Sequence, residues 1–179
     1  MPLNTDGQYD WYYPSGLAPT AQAAVSFRKT LSDGITRVFS QTVTVAQLEA
    51  NPALTLTHTS SEVTGTKITY GAAGTVVPQG ATVTAVINPA SSNPVTASVE
   101  VLANGQFKLS YPVDASVTTA STVTFTYETV TQNDYDSYYG KYNGSVTDVY
   151  TQTTTMGNVA TSKTVAMSTL KEIQVEGVV

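Results

Sequence analysis

The sequence predicts an all-β protein: an Ig-like antiparallel β-sandwich with an extended N-terminal arm and a strand-rich C-terminal tail. Threonine and valine alternate in short runs, such as Thr42–Val45, Thr82–Thr84 and Thr122–Phe125. Successive side chains of a strand point to opposite faces, so this alternation indicates half-buried strands rather than helices. Pro, Gly and Asn interrupt the runs and mark the turns between strands.

Residues 1–40 differ in composition from the rest of the chain and are predicted to form an extended, aromatic-rich arm. Tyrosine and tryptophan side chains near its start lie among prolines and glycines, which favour irregular chain. Within this segment, residues 20–31 have an apolar spacing that fits either a short helix or a strand.

Residues 41–131 are predicted to form the sandwich itself. Seven short runs with turn residues between them give the spacing expected of an immunoglobulin-like domain. The predicted strands are 42–48, 53–59, 66–70, 82–87, 95–102, 106–111 and 121–130.

The strongest local signal is a hairpin over residues 95–111. Valine or alanine occupies every second position of its first strand, at 95, 97, 99 and 101, so these residues share one face. Phe107, Leu109 and Tyr111 share one face of the return strand. Asn104 and Gly105 between them are the residues that adopt positive φ in a tight turn. The two strands are therefore predicted to pair directly.

Residues 132–179 are predicted to form a tyrosine-rich loop followed by further strands. The loop covers residues 132–145, and the strands are expected at 146–153 and 162–167. The apolar run that begins at Ile173 has the pattern of an added edge strand.

Charge and composition exclude several functional classes. The net charge is −5 at pH 7 and the pI is near 4.6, whereas nucleic-acid binding depends on clustered Lys and Arg. Only 12% of residues are charged, which favours a surface partly covered by neighbouring subunits. We therefore expect a homo-oligomer that binds no nucleic acid.

Cysteine usage and the N-terminus indicate where the chain is made. The chain has no cysteine, which leaves no disulfide framework or thiolate metal site. The N-terminus lacks the pattern of a secretory signal, and no segment approaches the roughly 20 apolar residues of a membrane span. These features predict synthesis in a cytoplasm and no membrane partner.

Candidate catalytic and metal-binding groups are sparse. His58 could pair with Ser60 or Ser61 and a distant aspartate, but no nucleophile motif is present, and a solvent-facing strand histidine is the preferred interpretation. Asp134 and Asp136 offer oxygen ligands without the spacing of a Ca²⁺ loop, so a solvated turn is preferred. We expect no enzyme activity, cofactor or metal.

Two aromatic clusters are the candidate interaction sites. Tyr and Trp are enriched at the centres of protein interfaces, which favours contacts with other subunits. A sugar-binding platform and an intramolecular core are the alternatives. The predicted interface residues are Tyr9, Trp11, Tyr12, Tyr13, Tyr135, Tyr138, Tyr139 and Tyr142.

Segments such as Gly80–Val86 and Asn104–Leu109 join turn residues to strands of alternating polar and apolar residues. In this general sequence style the chain resembles virion structural proteins of tailed bacteriophages, most of all the small capsid decoration, or cement, proteins. The resemblance implies a virion protein that binds the assembled major capsid protein, often as an oligomer at symmetry axes, and strengthens the shell without catalysis.

Two other functions stay open from the sequence. A tail, neck or fibre component would also use its arms to join other virion proteins in a ring or trimer. A glycan-binding module for host recognition would instead use Trp11 or the tyrosines of 138–142 to line a groove.

Overall fold

The computed structural model describes residues 14–50, 53–90, 92–132, 135–136, 141–142 and 144–175. These residues are predominantly β, which confirms the predicted all-β class. They divide into two compact units, one containing residues 14–27 and 39–57 and the other containing residues 28–38 and 58–175.

Two strands near the N-terminus contribute to both units: β1 (Gln22–Thr30) and β2 (Thr36–Thr44), which are neighbours in the sheet. The ambiguous segment 20–31 is therefore a strand and not a helix. Within the first unit, Phe27 and Phe39 pack with their ring centroids 6.4 Å apart. Residues 22–40, which the sequence placed in an extended arm, thus include hairpin strands.

The first unit also contains a short helix, α1 (Val45–Ala50), where the sequence predicted a strand over 42–48. Thr44 and Gln47 form a reciprocal cap: the Thr44 N–H donates to Gln47 Oε1 at 2.8 Å, and the Gln47 N–H donates to Thr44 Oγ1 at 3.2 Å. This capping box satisfies two N–H groups at the helix start, so local capping overrides the Thr/Val alternation at residues 45–48.

The second unit is built on a mixed sheet. Its strands are β3 (Thr57–Gly65), β4 (Lys67–Tyr70), β5 (Thr75–Val76), β6 (Val83–Asn88), β7 (Val95–Val101), β8 (Phe107–Pro112), β9 (Thr122–Gln132), β12 (Ser145–Thr155) and β13 (Thr164–Val175), while the short strands β10 (Tyr135–Asp136) and β11 (Lys141–Tyr142) form a separate pair. Along the sheet the strand order is β3-β8-β7-β6-β9-β12-β13-β4-β5. Each of these neighbouring pairs is antiparallel except β4 with β13, which is parallel.

The predicted strands in residues 66–130 correspond closely to β4 and β6–β9. The hairpin over residues 95–111 is confirmed as β7 and β8, joined by a 3₁₀ turn at Ala103–Gly105 in which Asn104 and Gly105 have φ of 58° and 75°. The prediction for 53–59 was wrong in position, because β3 begins only at Thr57 and continues through Ser60 and Ser61 to Gly65. The immunoglobulin-like strand arrangement stays a prediction.

A second helix, α2 (Met156–Ser162), was not predicted. The Thr155 side chain accepts a hydrogen bond from the Asn158 N–H at the start of α2, and Lys163 closes its end in the left-handed region at φ 56°. Met156, Val159 and Ala160 recur at helical spacing and are buried.

One hydrophobic core occupies the second unit. Alternate residues of β6, β7, β8 and β9 point into it, together with residues of β4, β13 and α2. Phe107 and Phe125, both 0% exposed, pack edge to face with centroids 6.1 Å apart at its centre. The other core residues with 0% exposure are Ile68, Val77, Ile87, Leu109, Val123, Met156 and Val159.

Candidate interaction surface

Three strands of the second unit continue past the core as a three-stranded ribbon, which we call the β-arm. It consists of residues 128–132 of β9, 145–149 of β12 and 171–175 of β13. Its five rows run from Glu128, Val149 and Lys171 to Gln132, Ser145 and Val175. None of the β9 or β12 residues of the β-arm belongs to the core cluster.

A β-bulge marks the base of the β-arm. Tyr150 pairs with Thr169 and Val149 pairs with Lys171, so Leu170 is the extra residue on β13. A bulge bends its strand and increases the local twist.

The β-arm exposes an apolar side chain. Val130 is 66% exposed, the highest value among the exposed large apolar residues of the described chain. On a projecting ribbon, such a side chain is available for contact with another molecule.

A tyrosine cluster anchors the base of the β-arm. Tyr70 on β4 meets Tyr127 and Tyr150 edge to face, with ring centroids 5.0 and 4.9 Å away. Tyr127 and Tyr150 are cross-strand partners whose rings stack at 6.5 Å. Such aromatic pairs add directional packing to the area that they bury.

The tyrosine cluster is partly accessible to solvent on the side of Tyr70 and Tyr150. Tyr70 and Tyr150 are half-buried, and the Tyr150 hydroxyl donates to Asp148 Oδ2 at 3.4 Å. Burial, and then the proximity of the Tyr70 and Tyr150 phenols, raises the pKa of Tyr127 above its ordinary value of 10.0. The cluster thus combines aromatic faces, hydroxyls and a carboxylate.

The predicted interface residues lie at or beyond the limits of the described chain. Tyr9, Trp11, Tyr12, Tyr13, Tyr138 and Tyr139 lie outside the described residues. Tyr135 and Tyr142 are backbone partners in the pairing of β10 (Tyr135–Asp136) with β11 (Lys141–Tyr142). These two short strands belong to the segment that joins β9 to β12.

Sequence reasoning missed the cluster of Tyr70, Tyr127 and Tyr150 as a unit. Tyr127 belongs to the alternating pattern of the predicted closing strand, but Tyr70 and Tyr150 are 80 residues apart in the chain. Only the tertiary pairing brings them together. The available signal was that each of the three tyrosines lies within a predicted strand.

The interpretation of His58 as a solvent-facing strand residue was wrong. His58 is half-buried, and its Nε2 lies 3.0 Å from the Ser60 carbonyl oxygen and 3.2 Å from Ser61 Oγ. Ser61 is only 3% exposed and also bonds the Tyr111 hydroxyl. The imidazole therefore belongs to a buried hydroxyl network in which Ser61 has little access to solvent.

Tyr111 gives this network a pH dependence. Burial raises the pKa of Tyr111 above its ordinary value of 10.0, while its hydrogen bond with Ser61 and the nearby Arg37 lower it. The folded protein thus favours the neutral phenol. Its contribution to stability is complete below pH 10 and is lost as pH rises through the raised pKa.

Replacing Tyr111 with phenylalanine tests this assignment. At pH 8 the variant loses one buried hydrogen bond, which costs about 0.5–1.5 kcal/mol of unfolding free energy. At pH 10.5 we expect the difference from the wild type to shrink, because the variant has no phenol to ionise on unfolding. Urea unfolding at both pH values measures this, and an unchanged difference would contradict the raised pKa.

Two grooves are also present, one in each unit. The first, of about 380 Å³, is lined by residues including Val43, Gln47 and Leu54. The second, of about 420 Å³, is lined by residues including Asp33, Thr155 and Asn158. Asp33 is paired with Arg37 at 2.8 Å and Thr155 caps α2, so these two groups already have partners within the protein.

The described residues contain neither a candidate metal site nor a membrane-spanning helix. No group of three His, Asp or Glu side chains converges among them as a metal site. The described helices are also too short and too polar to cross a bilayer.

No protein-family model, curated protein or solved structure matches the chain significantly. The function is therefore inferred from the residues and the geometry described above.

Proposed function

We propose that this chain is a non-enzymatic virion structural protein, a capsid decoration protein that binds the assembled major capsid protein and stabilises the shell. One observation carries the proposal: five rows of the β-arm extend beyond the core, with Val130 exposed on them. A rigid body with a projecting ribbon suits assembly, because a ribbon adds main-chain hydrogen bonds and apolar contacts to a neighbouring subunit.

The aromatic segments supply the second contact in this proposal. The tyrosines at 135–142 follow β9 and precede β12 in the chain. Tyr9–Tyr13 precede the first described residue. Aromatic side chains provide large contact areas at low entropic cost, so both segments are expected to meet the capsid.

Co-sedimentation with assembled capsid shells tests the proposal. The full-length chain is expected to bind saturably, at a fixed ratio to capsid subunits. Replacing Tyr138 and Tyr139 with serine should weaken binding at least tenfold, whereas Val86→Ser, a control on the sheet face of β6, should leave it unchanged. Equal loss in both variants, or no saturable binding by the wild type, would contradict the proposal.

Two other experimental results would indicate a different function for the chain. Binding to tail or neck fractions instead of shells would favour a tail, neck or fibre component, and particle imaging would locate it. The half-buried Tyr70 and Tyr150 beside Asp148 favour glycan binding as the second candidate, since aromatic faces stack on sugars and carboxylates accept sugar hydroxyls. That function requires a saturable change in tyrosine fluorescence on addition of sugar, which Tyr150→Ala abolishes.

A further inference from the structure

Among the described strands, one edge of the β-arm is open along residues 128–132 of β9. β6 pairs with β9 only from Thr122 to Tyr127, where Val83 is the last partner. Beyond Tyr127, the only described strand that pairs with β9 is β12, on its other side. The backbone N–H and C=O groups that point outward from this five-residue segment thus have no strand partner in the described chain.

We propose that this edge pairs antiparallel with the same edge of a second copy of the chain, with Val130 opposite Val130 of that copy. An open edge of β-branched residues is a template for strand addition. This inference goes beyond the proposed function, because it concerns the isolated chain and requires no capsid.

Symmetry restricts the possible registers. A twofold axis normal to the sheet leaves each side chain on its own face, and facing residues of an antiparallel pair share a face. Residues that pair across such an axis must therefore be separated by an even number of positions. The axis consequently passes beside one residue, which faces its own copy.

Centring the axis on Val130 gives a complementary ladder. Val130, the most exposed valine, faces Val130 of the second copy, Thr129 faces Thr131, and Glu128 faces Gln132. Threonine pairs and apolar β-branched pairs are favourable across strands, and an amide can donate to the facing carboxylate. No like charges face each other in this register.

The open part of β13 is less suitable for self-pairing than the β9 edge. β4 pairs with β13 only from Thr164 to Met167, so residues 168–175 are also open on that side within the described chain. Centring a twofold axis on the middle of that segment places either Lys171 opposite lysine or Glu172 opposite glutamate. Like charges in facing positions are destabilising, which favours the β9 edge.

The contact is small. Five residue pairs span about 17 Å of strand, which places the interface at the weak end of specific interfaces. We therefore expect a weak equilibrium between monomer and dimer that depends on protein concentration. Nearly all copies are expected to be dimeric only where many of them are held close to one another.

Cysteine crosslinking tests the register, because the natural chain has no cysteine. Under mild oxidation, Val130→Cys is expected to form a disulfide dimer at least tenfold faster than two controls. Val86→Cys is an exposed control on β6, a strand paired on both sides. Gln132→Cys lies on the same edge, but in the proposed register the two copies of this residue are roughly 14 Å apart, too far for a disulfide.

A mixed experiment tests the antiparallel direction. Chains carrying Glu128→Cys and chains carrying Gln132→Cys should crosslink when mixed, but neither should do so alone. All four substituted positions are exposed, and circular dichroism checks that each variant retains the fold. Equal crosslinking rates for Val130→Cys and Val86→Cys, or rapid crosslinking of Gln132→Cys alone, would overturn the proposal.

Discussion

Replacing Gly65 with alanine is expected to destabilise the protein by about 3 kcal/mol, at the upper end of what overpacking costs. Gly65 faces Phe107 directly across β3 and β8. A Cβ at position 65 would overlap the ring atoms Cε1 and Cζ of Phe107. The ring has little room to move, because it is 0% exposed and packs against Phe125.

Urea unfolding of four chains measures this effect: wild type, Gly65→Ala, Phe107→Leu and the double variant. We expect the double variant to be more stable than the sum of the single losses predicts, by at least roughly 1 kcal/mol, because the smaller side chain leaves space for the new methyl group. Thr64→Ala, an exposed neighbour on the same strand, is the control and should change stability by less than about 0.5 kcal/mol. Strict additivity would contradict the proposed overlap.

Replacing Phe125 with alanine is expected to cost roughly 3–5 kcal/mol. Phe125 is 0% exposed and lies in the centre of β9, between Ala85 on β6 and Gln152 on β12. Its removal leaves a cavity beside Phe107 that the surrounding strands cannot close without breaking their pairing. The loss removes a large part of the stability of a typical domain.

Thr124→Ala is the matched control for Phe125→Ala, since it lies on the opposite face of the same strand. The Thr124 hydroxyl bonds that of Thr153 at 2.9 Å near the surface, so its loss should cost no more than about 1 kcal/mol. Thermal unfolding of both variants gives the comparison. Similar losses in the two variants would show that the face assignment of β9 is wrong.

The sequence predicted elements whose signals are local. Alternation identified most of β6 to β9, and Asn104-Gly105 identified the turn between β7 and β8. The same alternation wrongly predicted strand at residues 45–48, where the cap formed by Thr44 and Gln47 starts a helix. It also divided β13 into two parts, because Ser168, Thr169, Lys171 and Glu172 interrupt the apolar pattern.

The candidate site was less predictable than the fold. Aromatic composition identified residues 135–142, which in chain order fall between β9 and β12. Val130 carried no signal of its own, because the same Thr-Val-Thr pattern occurs in buried strands. Its exposure follows from β6 ending its pairing at Tyr127.

The sequence by itself determined the all-β class, the low and acidic charge, and the hairpin of β7 and β8. The tertiary structure alone decided that β13 runs parallel to β4, that Tyr70 joins Tyr127 and Tyr150, and that the pairing of β6 with β9 stops at Tyr127. The physical reason is the distance along the chain over which each interaction acts. Side-chain alternation and turn preferences act over a few neighbouring residues, whereas strand order and register depend on the packing of all strands at once.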